Sequence, residues 1–448
     1  MRVRSFFVPA FLIAASIAFP AHHIQEISAG QDGLLGGLLG GLLNAGSDVV
    51  EGIAQKLQST LNALGPLDTS KPINVHGVHA FHPPTETDQR GPCPGLNALA
   101  NHGYISRDGI VSLLEVVPAI NRVYGMSLDL ALALGVMGVV WTGNSISLDP
   151  SFSIGGNDTA VSNALGNLQG VLGTPQGIDY SHNFIEADSS PTRNDLYLTG
   201  NAWTMNMSRF QELYDSVPAR QNFNFDVMAK WASKRFHDSV ETNPYFYYGP
   251  FTGMVARNAG YLFITRLFAS YDQGSSEGVL THDTLKSFFG VRGDGSNMRY
   301  KEGWERIPSN WYRNPVDYGL TQLNLDTVQL VSKYPELGNI GGNTGSTDSF
   351  TGVDMDDVLG GVLNADQLLE DNSLMCFALE VVKLASPNYL NNLYSTLAEP
   401  LELIKNSLAT PLLSLSCPEW RDLTMGGKPL LAALENEFPG AQQSLRAL

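Results

Sequence analysis

Positive charge is scarce in this chain of 448 residues. Lysine and arginine total 27 against 44 aspartate and glutamate residues, which gives a formal net charge of −17. Such a balance repels phosphate backbones, so the composition excludes nucleic acid as a partner. An acidic surface is common in secreted proteins and by itself predicts no specific function.

Long apolar runs are also lacking beyond the first residues. The internal apolar segment 128–141 is too short to cross a bilayer and contains Asp129, so we expect no membrane span. The N-terminal segment 1–21 has Arg2 and Arg4, then a short apolar run, and then small residues. This order is typical of a secretory signal peptide, so we expect a soluble, secreted protein.

A Gly/Leu-rich N-terminal extension follows at 22–75, with its densest part at 29–48. Glycine at this density costs too much backbone entropy for a firm helix. We interpret the extension as a flexible propeptide or as a segment laid over the domain. Further along, Asn157 and Asn206 begin Asn-X-Ser/Thr sequences, which are glycosylation acceptors in an exported chain.

Cysteine occurs only three times, as Cys93, Cys376 and Cys417. This number is too small for a disulfide-built scaffold, and in an oxidising compartment an odd count suggests one pair plus one thiol kept for chemistry. Cys376 and Cys417 both lie in the C-terminal portion and are the natural pair. Cys93 is then left over.

The surroundings of Cys93 are more informative than its isolation. Pro94 fits the first position of a helix, and His102-Gly103 is a typical helix end. Cys93 would then be the N-cap, where free backbone N–H groups and the helix dipole favour a thiolate. A thiolate in this setting suits a haem iron. A Cys-Pro pair in a loop is, by itself, more often structural.

The flanking sequence decides between these two interpretations. Matching motifs are HAF at 79–81, RGPCPGLNALANHGY at 90–104, SHN at 181–183, EADSS at 186–190, RFHDS at 235–239 and NP at 243–244. With these motifs the chain resembles the haem-thiolate peroxidases, the family of fungal chloroperoxidases and unspecific peroxygenases. The resemblance implies haem b ligated through Cys93, with hydrogen peroxide and a small organic, aromatic molecule as substrates. It also supports the Cys376–Cys417 disulfide.

The second motif implies a cation site. One carboxylate, one backbone carbonyl and one hydroxyl suit Mg²⁺, although Asp and Ser also cluster in ordinary turns. The resemblance assigns Glu186, the carbonyl of Ala187 and Ser190 as ligands of Mg²⁺ or Mn²⁺ near a haem propionate, with Asp188 orienting the loop. Chloroperoxidases have His where this chain has Ala187 and peroxygenases have Gly, so this chain is closer to the peroxygenases. We interpret His182 as structural.

The chain departs from the family at the acid/base that acts on peroxide. Peroxide cleavage needs a proton to move between the two oxygens, and peroxygenases use a glutamate on the helix after the Asn-Pro turn. Here no acidic residue occurs between Glu241 and Asp272. An ungapped placement puts Asn258 at the glutamate position and Phe251 at the partner arginine position. Arg257 could stabilise negative charge or contact a propionate, and Glu241 would need another register.

Helical periodicity dominates the rest of the chain, and alternating strand patterns are scarce. We expect a mostly α fold: a single large haem-thiolate peroxidase-like domain at 76–420 with little β structure, followed by a C-terminal tail at 421–448. Helices are predicted at 49–64, 109–124, 128–141, 161–172, 225–239, 253–269, 281–289, 359–401 and 429–438, and a long surface loop at 335–357.

Three functions remain open at this point. The first is a secreted haem-thiolate peroxidase or peroxygenase. The second is a specialised haem enzyme of secondary-metabolite (aromatic polyketide) biosynthesis with weak peroxide turnover, and the third is a secreted haem-binding protein without enzyme activity. The intact cation motif argues against the third, and the missing glutamate argues against simply accepting the first.

Overall fold

The computed structural model describes residues 59–60, 67–143, 150–161, 176–272, 277–358, 373–377 and 423–444. These residues belong to one compact unit, Gly46–Leu448. The predicted signal peptide, the Gly/Leu-rich stretch, most of the predicted helices at 49–64, 161–172 and 359–401, and Cys417 lie outside the described residues. The predicted Cys376–Cys417 disulfide therefore stays a prediction.

Helices form most of the described structure, which confirms the mostly α fold. They are α1 (Pro94–Asn101), α2 (Leu113–Tyr124), α3 (Leu128–Thr142), α4 (Leu196–Thr199), α5 (Met207–Asp215), α6 (Phe225–Thr242), α7 (Asn258–Leu267), α8 (His282–Phe288), α9 (Leu320–Lys333), α10 (Met355–Val358), α11 (Leu430–Glu437) and α12 (Pro439–Ser444). A π-helical turn, Thr252–Arg257, precedes α7, and short 3-10 turns lie at Gly77–His79, Ile178–Tyr180, Gly295–Asn297 and Pro335–Gly338.

The strands are two or three residues long and form small antiparallel sheets. They are β1 (Ile110–Ser112), β2 (Ser151–Ser153), β3 (Tyr247–Tyr248), β4 (Val291–Arg292), β5 (Arg299–Tyr300), β6 (Gly341–Asn343), β7 (Phe350–Gly352), β8 (Thr424–Met425) and β9 (Lys428–Pro429). The pairs are β1–β2, β4–β5 and β8–β9, and the fourth sheet has the order β3-β6-β7.

The start of the predicted helix 109–124 was wrong. Gly109 has a φ of +82°, and the next residues form β1, in which Ile110 faces Ser153 of β2. The β-branched side chains of Ile110 and Val111 favour this extended backbone. Helix α2 begins only at Leu113 and ends at Tyr124. The next residue, Gly125, is the C-cap and has a φ of +75°.

The predicted surface loop 335–357 was also wrong. Residues 341–343 form β6, whose three residues are all buried between β3 and β7. Glycine makes this close approach possible, because a Cβ on Gly341 would lie 2.1 Å from the carbonyl oxygen of Thr351. A glycine-rich composition that is typical of loops therefore indicates tight strand packing here.

The apolar core extends from α2 and α3 to the C-terminal segment. Helix α3 is apolar on nearly all sides and buried, as its sequence predicts. Leu430, Leu434 and Phe438 also belong to this core, so the described part of the segment assigned to a tail packs on the domain. In the described part of the chain, the apolar helices all fall short of the length needed to cross a membrane.

Candidate active site

An apolar cavity of about 340 Å³ lies between the N-terminal end of α1, helices α2 and α3, and helix α7 with its preceding π-helical turn. The loop 186–193 forms a further, more polar side. Cys93, Glu186, Ala187 and Ser190 all line this one cavity. The structure thus brings together residues that the sequence separates by almost a hundred positions.

Cys93 is the N-cap of α1 and a free cysteine, and Pro94 occupies the first helical position, as predicted. The loop before it is clamped from α1, because the Asn97 side chain accepts a hydrogen bond from the Gly91 N–H (3.1 Å) and donates one to the Gly91 carbonyl (2.9 Å). Arg193 Nη2 donates to the carbonyl of Pro92 at 3.2 Å. The backbone directly before Cys93 is therefore fixed by Asn97 of α1 and by Arg193.

The expectation of a lowered thiol pKa was wrong. Burial raises the pKa of Cys93, and it outweighs the lowering effect of the Leu96 and Gly95 N–H groups and of the Arg193 charge. The carboxyl group of Glu305 acts in the same direction as burial. A metal ion bound to the sulfur would reverse this balance, because coordination deprotonates a thiol.

The three predicted cation ligands line the same cavity, and one of their oxygen atoms is buried without a partner. Glu186 Oε2 accepts a hydrogen bond from His182 Nδ1 at 2.6 Å, while Oε1 is buried and lacks a hydrogen-bond partner in the described chain. The Ser190 hydroxyl accepts from the Arg193 N–H at 3.2 Å. Across the described residues, three or more His, Cys, Asp or Glu side chains nowhere converge to hold a metal ion. A cation here would therefore depend on a single carboxylate.

Buried polar contacts hold this loop in shape. Ser189 has a positive φ of +57° and its N–H donates to Asp195 Oδ1 at 2.9 Å. Asp188 Oδ2 accepts from Asn243 Nδ2 at 2.9 Å, which fits the predicted orienting role. Burial raises the pKa of Asp188 well above its usual value, and the Asp195 carboxylate adds to this. Burial lowers the pKa of His182, but nearby carboxylates, first that of Asp188, outweigh it and bring the pKa to about 9.

Asn258, placed by the sequence at the acid/base position, does not line the cavity. Its side chain is fully buried and fully hydrogen-bonded. The amide nitrogen donates to the carbonyls of Met254 and Leu337 (both 2.9 Å), and the oxygen accepts from Tyr248 Oη and Arg257 Nη1 (both 2.9 Å). The side chain has no free group for peroxide.

The π-helical turn explains why Phe251 and Asn258 do not face the cavity together, as the ungapped placement requires. Phe251, seven residues before Asn258, does line the cavity. Two turns of α-helix would put both residues on one face, but wider π turns, which often occur at functional sites, rotate Asn258 away. The cavity face of α7 instead includes Ala259, Gly260 and Phe263, and a Cβ on Gly260 would meet no atom within 4 Å.

Arg257 and Glu241 are not free acid/base groups in the cavity either. Arg257 lines the cavity, but its Nε donates to the carbonyl and hydroxyl of Ser189 (3.2 and 3.0 Å) and its Nη2 donates to the Ala232 carbonyl (2.6 Å). Arg257 thereby fixes the π-helical turn to the loop 186–193. Glu241 is exposed near the end of α6 and does not line the cavity.

Of the predicted glycosylation sites, Asn157 is exposed. Asn206 caps α5 through its side-chain oxygen, which accepts from the N–H groups of Ser208 (2.9 Å) and Arg209 (3.2 Å). Its amide nitrogen donates to Asn194 Oδ1 at 2.8 Å. A glycan on this nitrogen would replace one hydrogen bond. Glycosylation at both sites stays a prediction.

The cavity residues fit a haem group. A free thiol lines an apolar cavity, and two buried polar atoms of other lining residues lack a protein partner in the described structure: Glu186 Oε1 and Arg193 Nη1. A propionate beside a cation would satisfy both. This combination of groups suits a haem-binding oxidoreductase.

Comparison with known proteins makes this assignment specific. The family model described as Peroxidase, family 2 matches residues 79–316. An aromatic peroxidase of Fusarium equiseti is 54% identical over 83% of this chain and 86% of its own length. The dothistromin biosynthesis peroxidase of Dothistroma septosporum is 38% identical (81% and 86% covered), and an aromatic peroxygenase of Cyclocybe aegerita is 27% identical (64% and 70% covered).

The chain therefore belongs to peroxidase family 2, the fungal chloroperoxidase and peroxygenase family. It is an oxidoreductase acting on peroxide, and this family implies a haem iron. The predicted family and the prediction of an enzyme are confirmed.

Proposed function

We propose that this protein is a secreted haem-thiolate enzyme in which Cys93 ligates the iron of haem b. It uses hydrogen peroxide to oxidise or oxygenate a small, neutral aromatic molecule. The observation that supports this most directly is the position of Cys93: a free thiol at a helix N-cap that lines an apolar cavity, with hydrogen bonds to Gly91 and Pro92 that fix the backbone directly before it.

The residues of the chain account for binding and orientation. When bound, haem with a thiolate ligand supplies the iron at which the O–O bond of peroxide is cleaved. Cys93 would hold the iron as a thiolate, whose negative charge the N–H groups of Gly95 and Leu96 would stabilise. Arg193, together with a Mg²⁺ or Mn²⁺ ion held by Glu186 and Ser190, would balance the propionate charges.

An aromatic, neutral substrate fits the rest of the cavity. Its walls include Phe251, Phe263 and Phe268, and α7 presents the small residues Ala259 and Gly260 between them. Flat apolar surfaces of this kind bind planar rings by stacking and by excluding water. Two relatives support an aromatic substrate, since one is named an aromatic peroxidase and another an aromatic peroxygenase.

A second candidate function keeps haem and Cys93 but turns over peroxide slowly, as a specialised enzyme of secondary-metabolite biosynthesis. The observation that favours it is the absence of any acidic residue from 242–271, which includes the whole cavity face of α7. A missing general acid/base costs a factor of about 10²–10⁴ in rate. Water or a polar group of the substrate would then carry the proton.

The test of the iron ligand compares the wild-type protein, Cys93→Ala and Cys93→His, all loaded with haem. We expect a thiolate-type haem spectrum for the wild-type protein alone, no defined axial ligand for the alanine variant, and an imidazole-type spectrum for the histidine variant. The histidine variant shows that the cavity still folds and binds haem. A thiolate-type spectrum retained in Cys93→Ala would refute the ligand assignment.

Rapid mixing of the haem-loaded protein with hydrogen peroxide separates the two candidate functions. A fast spectral change that an aromatic substrate reverses supports the peroxidase or peroxygenase. Slow bleaching without such a change supports the specialised enzyme.

The cation and the secretion are tested separately. A chelator should loosen haem in the wild-type protein but have no further effect in Glu186→Gln, and equal effects in both would exclude the cation site. Expression of the full chain in a fungal host should release the protein into the medium without residues 1–21. An intracellular protein that retains them would contradict secretion.

A further inference from the structure

Part of the cavity surface lies beyond the segment that the family model matches. That model ends at residue 316, whereas Leu320 and Leu323 of α9 and the more distant Met375 also line the cavity. We call these three residues the α9 wall. The wall is a place where the substrate preference can change while the segment that defines the family stays the same.

Met375 reaches the cavity from a short buried segment. Residues 373–377 are helical, and the four residues from 374 onwards are each at most 2% exposed. The N–H of Met375 donates a hydrogen bond to Asn324 Oδ1 of α9 at 3.1 Å. Asn324 has no exposed surface, and a buried amide is costly unless it is hydrogen-bonded. Asn324 thus fixes the backbone of Met375 to α9.

The α9 wall adjoins the aromatic face of α7. Phe263, which lines the cavity from α7, packs edge-on against Tyr318 just before α9, with ring centroids 6.2 Å apart. Arg266 of α7 also donates two hydrogen bonds to the carboxylate of Asp326 on α9, at 2.8 and 2.7 Å. These contacts fix α9 beside the helix that the proposed function assigns to the substrate.

A methionine in this place has a chemical consequence. Its thioether makes favourable contacts with aromatic rings, and its unbranched side chain adapts to the shape of a ligand. Leucine fills a similar volume without sulfur, so it provides the apolar contact alone. The difference between these two side chains is therefore a difference in preference for aromatic over saturated rings.

We infer that Met375 is a specificity-determining residue, whose thioether contacts the ring of the substrate and favours an aromatic ring over a saturated one. Asn324 is the positioning residue that holds Met375 in the α9 wall. This inference rests on the proposed function, since it needs an aromatic substrate in this cavity. It adds a residue that none of the sequence motifs indicates.

The test measures binding to the haem-loaded protein by equilibrium dialysis without peroxide. The probes are 2-naphthol and its saturated counterpart decahydro-2-naphthol, at about pH 7, where both are neutral. The ratio of their two dissociation constants gives the ring selectivity. Haem absorption spectra of the same samples report whether the haem site itself has changed.

Met375→Leu should raise the Kd of 2-naphthol by about twofold to tenfold, the range that thioether–aromatic contacts provide. The Kd of decahydro-2-naphthol and the haem spectrum should stay unchanged. In peroxide-dependent turnover of 2-naphthol, KM should rise by the same factor with little change in kcat. Asn324→Leu should also reduce the ring selectivity, because it removes the acceptor that fixes Met375. If Asn324→Leu does not fold, Met375→Leu decides alone.

Met228→Leu is the matched control. Met228 is 1% exposed on α6 and does not line the cavity, so the same exchange there should leave both dissociation constants unchanged. A reduced ring selectivity in Met228→Leu equal to that in Met375→Leu would overturn the inference, since the effect would then be a general one on the core.

Three results for Met375→Leu would also overturn the inference. These are unchanged binding, an equal change for both probes, and a shifted haem spectrum, which would mean that the side chain contacts the haem. An unchanged ring selectivity in Asn324→Leu would remove the positioning role of Asn324. A wild-type protein without a thiolate-type spectrum, or one that does not bind 2-naphthol, would instead refute the proposed function, so the two failures are distinguishable.

Discussion

Replacing Glu305 with glutamine should stabilise the protein, and only above the acidic range. The pKa of this carboxyl is raised from its usual value of 4.5 to about 7 by burial. The folded state therefore binds more protons than the unfolded state between these two values. Since stability falls with rising pH wherever the folded state holds more protons, the wild-type protein loses stability across this window. Below the window the carboxyl is neutral in both states and no penalty remains.

The size of the effect follows from the size of the shift. A difference of about 2.5 pKa units, at about 1.4 kcal/mol per unit, corresponds to roughly 3 kcal/mol. Glutamine resembles the protonated carboxyl in shape and charge. The variant should therefore match the wild-type protein near pH 4.5 and exceed its free energy of unfolding by about 3 kcal/mol near pH 8. This is a large fraction of the stability of a typical domain.

Denaturant unfolding of the haem-loaded proteins, followed by tryptophan fluorescence at matched haem concentration and ionic strength, measures this difference. Other carboxyl groups also titrate in this range, but their contributions cancel between variant and wild type. Exposed Glu241 provides the control, since Glu241→Gln should change the stability only slightly at either pH. A difference for Glu305→Gln that is equal at about pH 5 and about pH 8, or a less stable variant at the higher pH, would refute the reasoning.

Two further predictions concern the cavity and the surface. Gly260→Glu should raise peroxide consumption by about tenfold or more in a stopped-flow assay, because its side chain would enter open cavity space. Asn258→Glu should lower the yield of folded protein instead, since it would bury a carboxylate against two backbone carbonyls; equal gains from both variants would contradict the geometry. In protein secreted by a fungal host, Asn157→Gln and Asn206→Asp should each remove the mass of one glycan. Asn206→Asp should keep the helix cap and leave the free energy of unfolding unchanged. Asn206→Ala should lower that free energy by about 1 kcal/mol.

Short-range sequence signals were sufficient to predict the helix that begins at Cys93. Pro94 at the first helical position and the end at His102 predict α1 with its observed bounds, and this places Cys93 at the N-cap. The helix around 225–239 is also predictable, because Asn224 accepts a hydrogen bond from the Val227 N–H at 3.1 Å. Such features depend on neighbours a few residues away, which the sequence states directly.

Features that depend on distant neighbours were not predictable in the same way. The π-helical turn Thr252–Arg257 breaks the periodicity that places Asn258, and its docking is fixed by contacts of Arg257 with Ser189 and Ala232. Glu305 follows a Gly-Trp pair in an ordinary polar segment and carries no motif. Only the fold brings it against α1, so its burial could not be inferred from its sequence neighbours.

The two sides of the cavity differ in a way that links these observations. Peroxide cleavage can be assisted by electron donation through the ligand and by proton delivery from the opposite side. Here the cavity face of α7 is apolar, while the cavity wall formed by the loop 186–193 contains Arg193, whose Nη1 is buried and lacks a hydrogen-bond partner among the described residues. A site with little proton delivery depends more on the electron density of its ligand.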